Sequence, residues 1–166
     1  MDFTTMQYDE IIGYFRAKLP SFPDGRIDYH GSKENFVLDI WVKCGEEILL
    51  LKRSDKVRAY KGKRDCIWGY IDEEKPAQQK IREEIHEELS IPPEKIQHIH
   101  LGKIYVMHDA ETDMDWIWYP VIAELDEKLE ITLDYENTEY QWVKPVDIKN
   151  FDIVPELEIC YANANL

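Results

Sequence analysis

The sequence contains little cysteine, and its cysteines form no recognisable pattern. Cys44, Cys66 and Cys160 are the only three among 166 residues, and no two of them are arranged as CxxC. An odd number without paired spacing argues against a disulfide framework and against a zinc knuckle. We therefore expect free thiols and a reducing, cytoplasmic location.

Long apolar runs and a recognisable targeting segment are also missing. The longest strongly apolar stretch, WIWYPVIAEL, is far too short to span a bilayer. The first ten residues, MDFTTMQYDE, have neither the basic nor the apolar region of a signal peptide. These absences exclude a membrane partner from our expectations.

Positive charge is scarce relative to negative charge. The chain has 20 Lys and Arg against 34 Asp and Glu, a formal net charge of −14. Such a charge argues against general binding to nucleic-acid backbone or anionic membrane, although a local basic site is still compatible with it. The composition is nevertheless 44% hydrophobic and 12% aromatic, too apolar for a disordered chain. The length fits one domain with a single core.

Helical and strand-like segments follow one another along the chain and predict an α+β fold. Residues 7–18 place Ile11, Ile12 and Phe15 at helical spacing, and LPSFPDG then ends that helix. NFVLDIWVK and EILLLKR flank CGE as the strands of a hairpin would, and residues 54–67 are irregular and basic. A second strand pair, a further strand and a short closing helix follow: HLGKIYVMH with WIWYPVIAEL, EYQWVKP, and VPELEICYANA.

Residues 76–89 form the best helix in the sequence, and this helix lies between the two groups of strands. Pro76 suits the first helical turn, and Pro92 with Pro93 stops the helix from continuing. The apolar positions recur every four residues and form one stripe: Ala77, Ile81, Ile85 and Leu89. Strands, one central helix and more strands indicate a sandwich of sheet and helices.

Four glutamates crowd this helix within the stretch EEIHEE. At about 100° per residue, Glu84, Glu87 and Glu88 share one face beside the apolar stripe, and Glu83 borders that face. Each like-charge pair costs roughly 0.2–0.5 kcal/mol when exposed, and more when partly buried. Taken alone, the glutamates favour a solvated acidic face. A bound divalent cation would offset their repulsion, and oxygen ligands at this spacing suit Mg²⁺ or Mn²⁺ rather than zinc.

The segment GYIDEEKPAQQKIREEIHEELSI, Gly69 to Ile91, resembles the signature of the Nudix hydrolase family. That signature is a glycine, five residues, a glutamate, seven residues, then Arg-Glu-aliphatic-any-Glu-Glu-any-Gly-aliphatic. With the register set on Glu87 and Glu88, its glycine falls on Gly69 and its first helical glutamate on Glu84. EILLLKRS and EYQWVKPVDI are similar to flanking strands of the family, so the resemblance covers roughly residues 35–155.

The resemblance implies a Nudix fold, an α/β/α sandwich with a mixed sheet. We expect the Nudix domain over residues 31–166, with residues 1–30 as an N-terminal helical extension packed on it. Three positions depart from the signature, which has Glu, Arg and Gly where this chain has Lys75, Glu83 and Ser90. The family arginine orients the metal-binding glutamates by ion pairing. Arg82 is turned about 100° away, so Lys80 is our candidate for the missing positive charge.

The function implied by the resemblance is metal-dependent hydrolysis of a nucleoside diphosphate linked to another group. Glu84, Glu87 and Glu88, with the carbonyl of Gly69, would hold Mg²⁺ or Mn²⁺ and activate a water for attack on phosphorus. The family often takes a general base from outside the signature. We select Glu139, and the other candidates are Glu136, Glu111, Asp113 and Asp115.

The stretch KRSDKVRAYKGKR, residues 52–64, carries seven basic residues in 13 positions. A phosphoanhydride site needs cations for the phosphates that its metal does not reach. We assign substrate binding to four of these residues, and an exposed solubilising loop is the alternative: Arg53, Arg58, Lys63 and Arg64. Four tryptophans are candidates either for stacking on a base or for core packing: Trp41, Trp116, Trp118 and Trp142.

Two other functions stay open at this point. An isopentenyl diphosphate isomerase would use a cysteine and a histidine near the signature glycine, where this chain has Trp68 and Tyr70, with Cys66 slightly displaced. The departures from the signature would also fit a non-catalytic nucleotide sensor or interaction module. The expected partner is a small molecule, namely a nucleotide sugar, a dinucleoside polyphosphate or a nucleoside triphosphate. Among nucleic acids, only a capped RNA end stays a candidate partner. The resemblance also suggests a homodimer.

Overall fold

The computed structural model describes residues 1–110 and 112–165. Three α-helices and eight strands make up the described chain. The helices are α1 (Tyr8–Lys18), α2 (Ala77–Leu89) and α3 (Leu157–Ala164). The strands are β1 (Glu34–Cys44), β2 (Glu47–Arg53), β3 (Arg64–Asp65), β4 (Ile67–Tyr70), β5 (Ile96–Leu101), β6 (Tyr105–Asp109), β7 (Met114–Leu125) and β8 (Asn137–Val143). Short 3-10 helices span Phe3–Thr5, Pro93–Lys95 and Pro145–Asn150.

Strand β1 is the centre of one mixed sheet. It runs parallel to β7 over its whole length, and β2 and β4 pair with it in the antiparallel direction. The remaining strands pair with β2 or β7, all antiparallel. Eight of the 11 residues of β1 are buried in one continuous run, as expected of a strand with both faces covered.

Helices cover both faces of the sheet and define two hydrophobic clusters. Helices α1 and α2 contribute to the larger cluster with one set of alternating β1 residues, Phe36, Leu38 and Ile40. Helix α3 packs on the other face, in the cluster that contains Trp41 and Ile48. The α/β/α sandwich with a mixed sheet is therefore confirmed.

The N-terminal segment is part of the main core. Helix α1 begins with a capping box, in which the Gln7 backbone N–H donates to Glu10 Oε2 at 2.7 Å. Its apolar side chains Ile11, Ile12 and Phe15 are buried in the same cluster as the apolar stripe of α2. Residues before the expected boundary at position 30 thus share the core of residues 31–166, and the boundary itself stays a prediction.

The expected single strand over HLGKIYVMH is wrong, because it is interrupted at Gly102. Strands β5 and β6 lie on either side of the break, and both pair with β7. A side chain at Gly102 would bring its Cβ within 2.5 Å of the Asn163 carbonyl oxygen on α3. The chain therefore leaves the strand where the helix passes close to its backbone. Within the described residues, no helix has the length and apolarity needed to cross a membrane.

Candidate metal and substrate site

Strand β4 and helix α2 meet at Gly69 and Glu84. A Cβ on Gly69 would lie 2.9 Å from Glu84 Cδ and Oε2 and 3.0 Å from Oε1. Real Cβ atoms essentially never come this close to another heavy atom, so a side chain at position 69 would require the carboxylate of Glu84 to move. The first and the central positions of the signature are thus in contact.

Lys80 binds Glu84 one turn away on the same helix. Its Nζ lies 2.7 Å from Glu84 Oε1 and 3.6 Å from Asp72 Oδ1 in the preceding loop. Both side chains of the Lys80–Glu84 pair are only 13% exposed. Burial raises the pKa of Glu84, and the hydrogen bond from Lys80 opposes that rise. The structure therefore places Lys80 where the sequence suggested a compensating positive charge.

Glu88 is the most buried glutamate of the helix. Its Oε2 accepts a hydrogen bond of 3.1 Å from Asn137 Nδ2 at the start of β8. Burial raises the pKa of Glu88 to about 9, and the nearby charges of Glu136 and Asp134 add to the rise. The loop before β8 also caps the end of α2, since the Asp134 N–H donates to the Glu88 carbonyl oxygen at 3.1 Å.

The third glutamate, Glu87, is exposed. In the part of the chain that the structure describes, no three His, Cys, Asp or Glu side chains are grouped so that they could hold a metal ion. Glu84 and Glu88 are instead held by Lys80 and Asn137. Their oxygen chemistry and the glycine cradle fit a hard divalent cation such as Mg²⁺ or Mn²⁺. Glu84, Glu87, Glu88 and the carbonyl of Gly69 remain the proposed ligands.

Glu83, at the arginine position of the signature, forms an ion pair with Lys75. Its Oε2 lies 2.6 Å from Lys75 Nζ, and its Oε1 accepts a hydrogen bond of 2.8 Å from Gln79 Nε2. The hydrogen bond from Lys75 is the main reason why the pKa of Glu83 is lowered. Arg82 donates to the Pro93 and Ile96 carbonyl oxygens, so it does not replace the missing arginine.

Most of the predicted phosphate-binding side chains are engaged with acidic groups. Arg53 is buried and lies 2.9 Å from Asp65 Oδ2. Lys63 pairs with Asp152 and Arg64 with Glu139. Arg58 is exposed and forms no ion pair with any other described residue, which leaves its guanidinium available to a ligand. The sequence alone could not separate these four residues, because a run of basic residues does not show which of them pair with acidic side chains elsewhere in the chain.

The candidate general bases differ in their surroundings, and some of them are held in ion pairs. Glu139 pairs with Lys52 at 2.8 Å, and this hydrogen bond lowers the pKa of Glu139, which weakens it as a base. Glu136 lies in the loop that faces Glu88. Asp113 and Asp115 pair with Lys33 and His108, respectively, and Glu111 lies outside the described residues.

Aromatic side chains next to the signature glycine form a partly exposed surface that the sequence reasoning missed. Trp68 and Tyr70 flank Gly69 on β4, and Trp116 of β7 contacts both, at ring-centroid distances of 6.4 and 6.2 Å. The Arg53 guanidinium lies 5.6 Å from the Trp68 ring centroid. The alternation of strand residues could have revealed this surface, since Trp68 and Tyr70 must share a face.

The remaining tryptophan candidates differ from one another in burial and in their neighbours. Trp118 is half-buried and lies beside Trp116, whereas Trp41 is fully buried and packs against Tyr161 of α3. Trp142 is half-buried and lies near Lys128. Core packing therefore explains Trp41, and Trp116 with Trp118 belongs to the aromatic surface.

Cys66 does not have the environment of a catalytic thiol. It is 6% exposed, belongs to the cluster on the α3 face, and donates to Asp39 Oδ1 at 2.7 Å. Burial raises the pKa of Cys66 well above its ordinary value, which suppresses the reactive thiolate. This environment disfavours the isomerase alternative.

No protein-family model and no curated protein matches this sequence, but solved structures do. A MutT protein from Methanosarcina mazei Go1 is similar with a TM-score of 0.61 at 20% identity, over 81% of this chain and 95% of that one. The NUDIX domain of Shewanella oneidensis NrtR, solved with ADP ribose, has a TM-score of 0.65 at 13% identity, over 96% of this chain and 97% of that one.

A third similar structure is a bifunctional NMN adenylyltransferase/ADP ribose pyrophosphatase from Francisella tularensis, complexed with AMP and a Mn ion. Its TM-score is 0.65 at 18% identity, over 93% of this chain and 45% of that one. These likenesses define an α+β protein with helices on a mixed sheet. The chain has the Nudix fold.

Proposed function

We propose that this chain is a Nudix hydrolase that cleaves a phosphoanhydride bond in a nucleoside diphosphate derivative, with Mg²⁺ or Mn²⁺ as cofactor. The observation that carries the proposal is the contact between Gly69 and the buried carboxylate of Glu84, one helical turn before Glu88. A solvated acidic helix face would need neither a glycine cradle nor burial of two glutamates.

The proposed mechanism assigns separate tasks to the described side chains. A bound divalent metal would supply water activation and neutralise charge on the leaving phosphate. Glu84, Glu87, Glu88 and the Gly69 carbonyl would hold it. Glu136, rather than the ion-paired Glu139, is our candidate to accept the proton from water, because its charge already acts on Glu88.

Substrate binding is assigned to the neighbouring basic loop and aromatic surface. Arg58 would contact phosphate oxygens, because its guanidinium has no acidic partner among the described residues. The half-buried rings of Trp68 and Trp116 and the exposed ring of Tyr70 offer flat surfaces on which a nucleobase can stack. The structures solved with ADP ribose and with AMP support this ligand class, although each ligand belongs to that protein.

The direct test is a turnover screen in the presence of Mn²⁺. Nucleotide sugars, dinucleoside polyphosphates, nucleoside triphosphates and capped RNA should be compared by phosphate-product release. Glu84→Gln and Glu88→Gln should each lower kcat/KM by more than about 100-fold, since loss of a group behind the ligands alone costs 10–100-fold. Glu94→Gln, in an exposed position beyond the helix, is the matched control.

Two outcomes would contradict the proposal. Full activity in both glutamine variants would remove the carboxylates from the mechanism. Tight nucleotide binding without turnover in Mg²⁺ or Mn²⁺ would instead support the non-catalytic sensor, which the pairing of Glu84 with Lys80 already makes physically reasonable.

A further inference from the structure

Two positions of the signature carry exchanged charges in this chain, and their side chains are in contact. The signature has a glutamate and an arginine where this chain has Lys75 and Glu83, respectively. Lys75 Nζ lies 2.6 Å from Glu83 Oε2. Two independent losses of signature residues would not be expected to place opposite charges within hydrogen-bond distance of each other.

The pair joins the loop after β4 to the second turn of α2. Lys75 lies at the end of that loop, only 20% exposed, and its Nζ also lies 2.7 Å from Glu73 Oε2. Glu83 is further fixed by Gln79 on the same helix. An ion pair with two further hydrogen-bonding partners, Glu73 and Gln79, holds its geometry better than an isolated surface pair.

A second lysine ties the same two segments together. Lys80 binds Glu84 at 2.7 Å and also reaches the loop, at 3.6 Å from Asp72 Oδ1 and 4.0 Å from Glu73 Oε1. Two lysines thus connect the acidic loop with neighbouring helix residues 83 and 84. Glu84 is the carboxylate that fills the cradle at Gly69.

We propose that Lys75 and Glu83 form a charge-reversed positioning pair that fixes the loop of residues 71–76 against α2 and so keeps Glu84 opposite Gly69. The pair takes over, with opposite polarity, the orienting task that the family resemblance gives to an arginine. The expected effect on metal binding rests on the proposed function. The positioning of the loop against α2 is independent of it.

Exchanging the two charges tests the pair directly. Lys75→Glu and Glu83→Arg each place like charges in contact, whereas the double variant K75E/E83R restores opposite charges in the order of the signature. Binding of Mn²⁺ alone, without substrate, should be measured by the paramagnetic resonance of free Mn²⁺. We expect about tenfold weaker binding in each single variant and recovery of part of that loss in the double variant, in which the new carboxylate at position 75 still faces Glu73.

The signs of the two single effects separate positioning from simple charge. Lys75→Glu makes the site more negative and would tighten Mn²⁺ binding if only charge mattered, whereas Glu83→Arg would weaken it. A positioning pair weakens binding in both. The control pair is Lys128 and Glu47, also in an ion pair, where K128E, E47R and K128E/E47R make the same charge changes in contact with Trp142 rather than with the loop.

Amide hydrogen exchange of residues 71–76 in metal-free protein provides the second readout. Exchange should be faster in both single variants and return towards its original rate in the double variant. If the unmodified protein binds no Mn²⁺, the proposed function fails, and exchange alone decides the positioning pair. Opposite-sign Mn²⁺ effects in the single variants, unchanged exchange, or a double variant no better than the single ones would each overturn the inference.

Discussion

At the residue scale, Glu88 has an environment that favours the protonated carboxyl. The side chain is buried, and among the described residues only Asn137 donates a hydrogen bond to it. Its pKa rises from 4.5 to about 9, so the folded protein keeps a proton that the unfolded chain releases. This contribution to stability is fully present below about pH 4.5 and is lost as the pH rises towards 9.

Replacing Glu88 by Gln should therefore stabilise the metal-free protein, increasingly so between about pH 5 and pH 9. We expect a gain of roughly 1–3 kcal/mol at the upper end, because glutamine keeps the acceptor for Asn137 without a charge. Urea unfolding at several pH values in a chelator measures it. Glu87→Gln, an exposed control, should show no such trend, and a pH-independent difference at position 88 would contradict the assignment.

The sequence predicted the helix face on which these glutamates lie, but not the residues from other elements that contact them. A turn of about 100° per residue correctly put Glu84 and Glu88 beside the apolar stripe. It could not show that Asn137, 49 residues later, meets Glu88. The partner of Lys80 could be anticipated because it lies on the same helix, four residues away.

At the element scale, helix α2 ends in a strained residue. Ser90 has φ 57° and ψ 24°, the left-handed region, and its backbone N–H donates to the His86 carbonyl oxygen. The Nudix signature has glycine at this position, which adopts that conformation without steric cost. The serine therefore preserves the backbone conformation of the helix end, at the cost of a left-handed conformation that is unfavourable for a residue with a Cβ.

Ser90→Gly should raise the free energy of unfolding by about 1 kcal/mol, since a left-handed conformation costs a residue with a side chain roughly that much. The exposed position of Ser90 makes loss of side-chain contacts small. Thermal or urea unfolding measures the change. Ser90→Ala, which retains a Cβ, serves as the control and should give no gain. An equal gain in both variants would refute the explanation.

Elements with strong periodicity were predictable, and interruptions caused by distant packing were not. The helix predicted over residues 76–89 is observed as Ala77–Leu89 because its apolar repeat and its flanking prolines agree. The break at Gly102 depends on Asn163, which lies 61 residues later, so no local pattern announces it. The short β3 at Arg64–Asp65 likewise depends on pairing with β2 rather than on its own residues.

At the scale of the whole molecule, the N-terminal helix is a structural part of the domain. Phe15 is fully buried, and its ring contacts those of Phe3, Tyr29 and Phe36. These aromatic contacts join the first segment to β1. An extension merely resting on a complete domain would leave such residues partly exposed.

Phe15→Ala should destabilise the protein by about 3–5 kcal/mol, because it opens a cavity in the main core. Phe22→Ala removes a ring that is 39% exposed and contacts Arg26, and should cost less than about 1 kcal/mol. Chemical unfolding of both variants gives the comparison. Similar, small losses would mean that residues 1–30 are a dispensable extension after all.

The lysine at position 80 gives the carboxylate site a cation of its own. Its ammonium lies 2.7 Å from Glu84 Oε1 and 3.6 Å from Asp72 Oδ1, between a carboxylate of the helix and one of the loop. A divalent ion held by Glu84 at the proposed site would therefore compete with this ammonium for the carboxylate. The length and flexibility of one lysine side chain would then set how readily the proposed site accepts a cation.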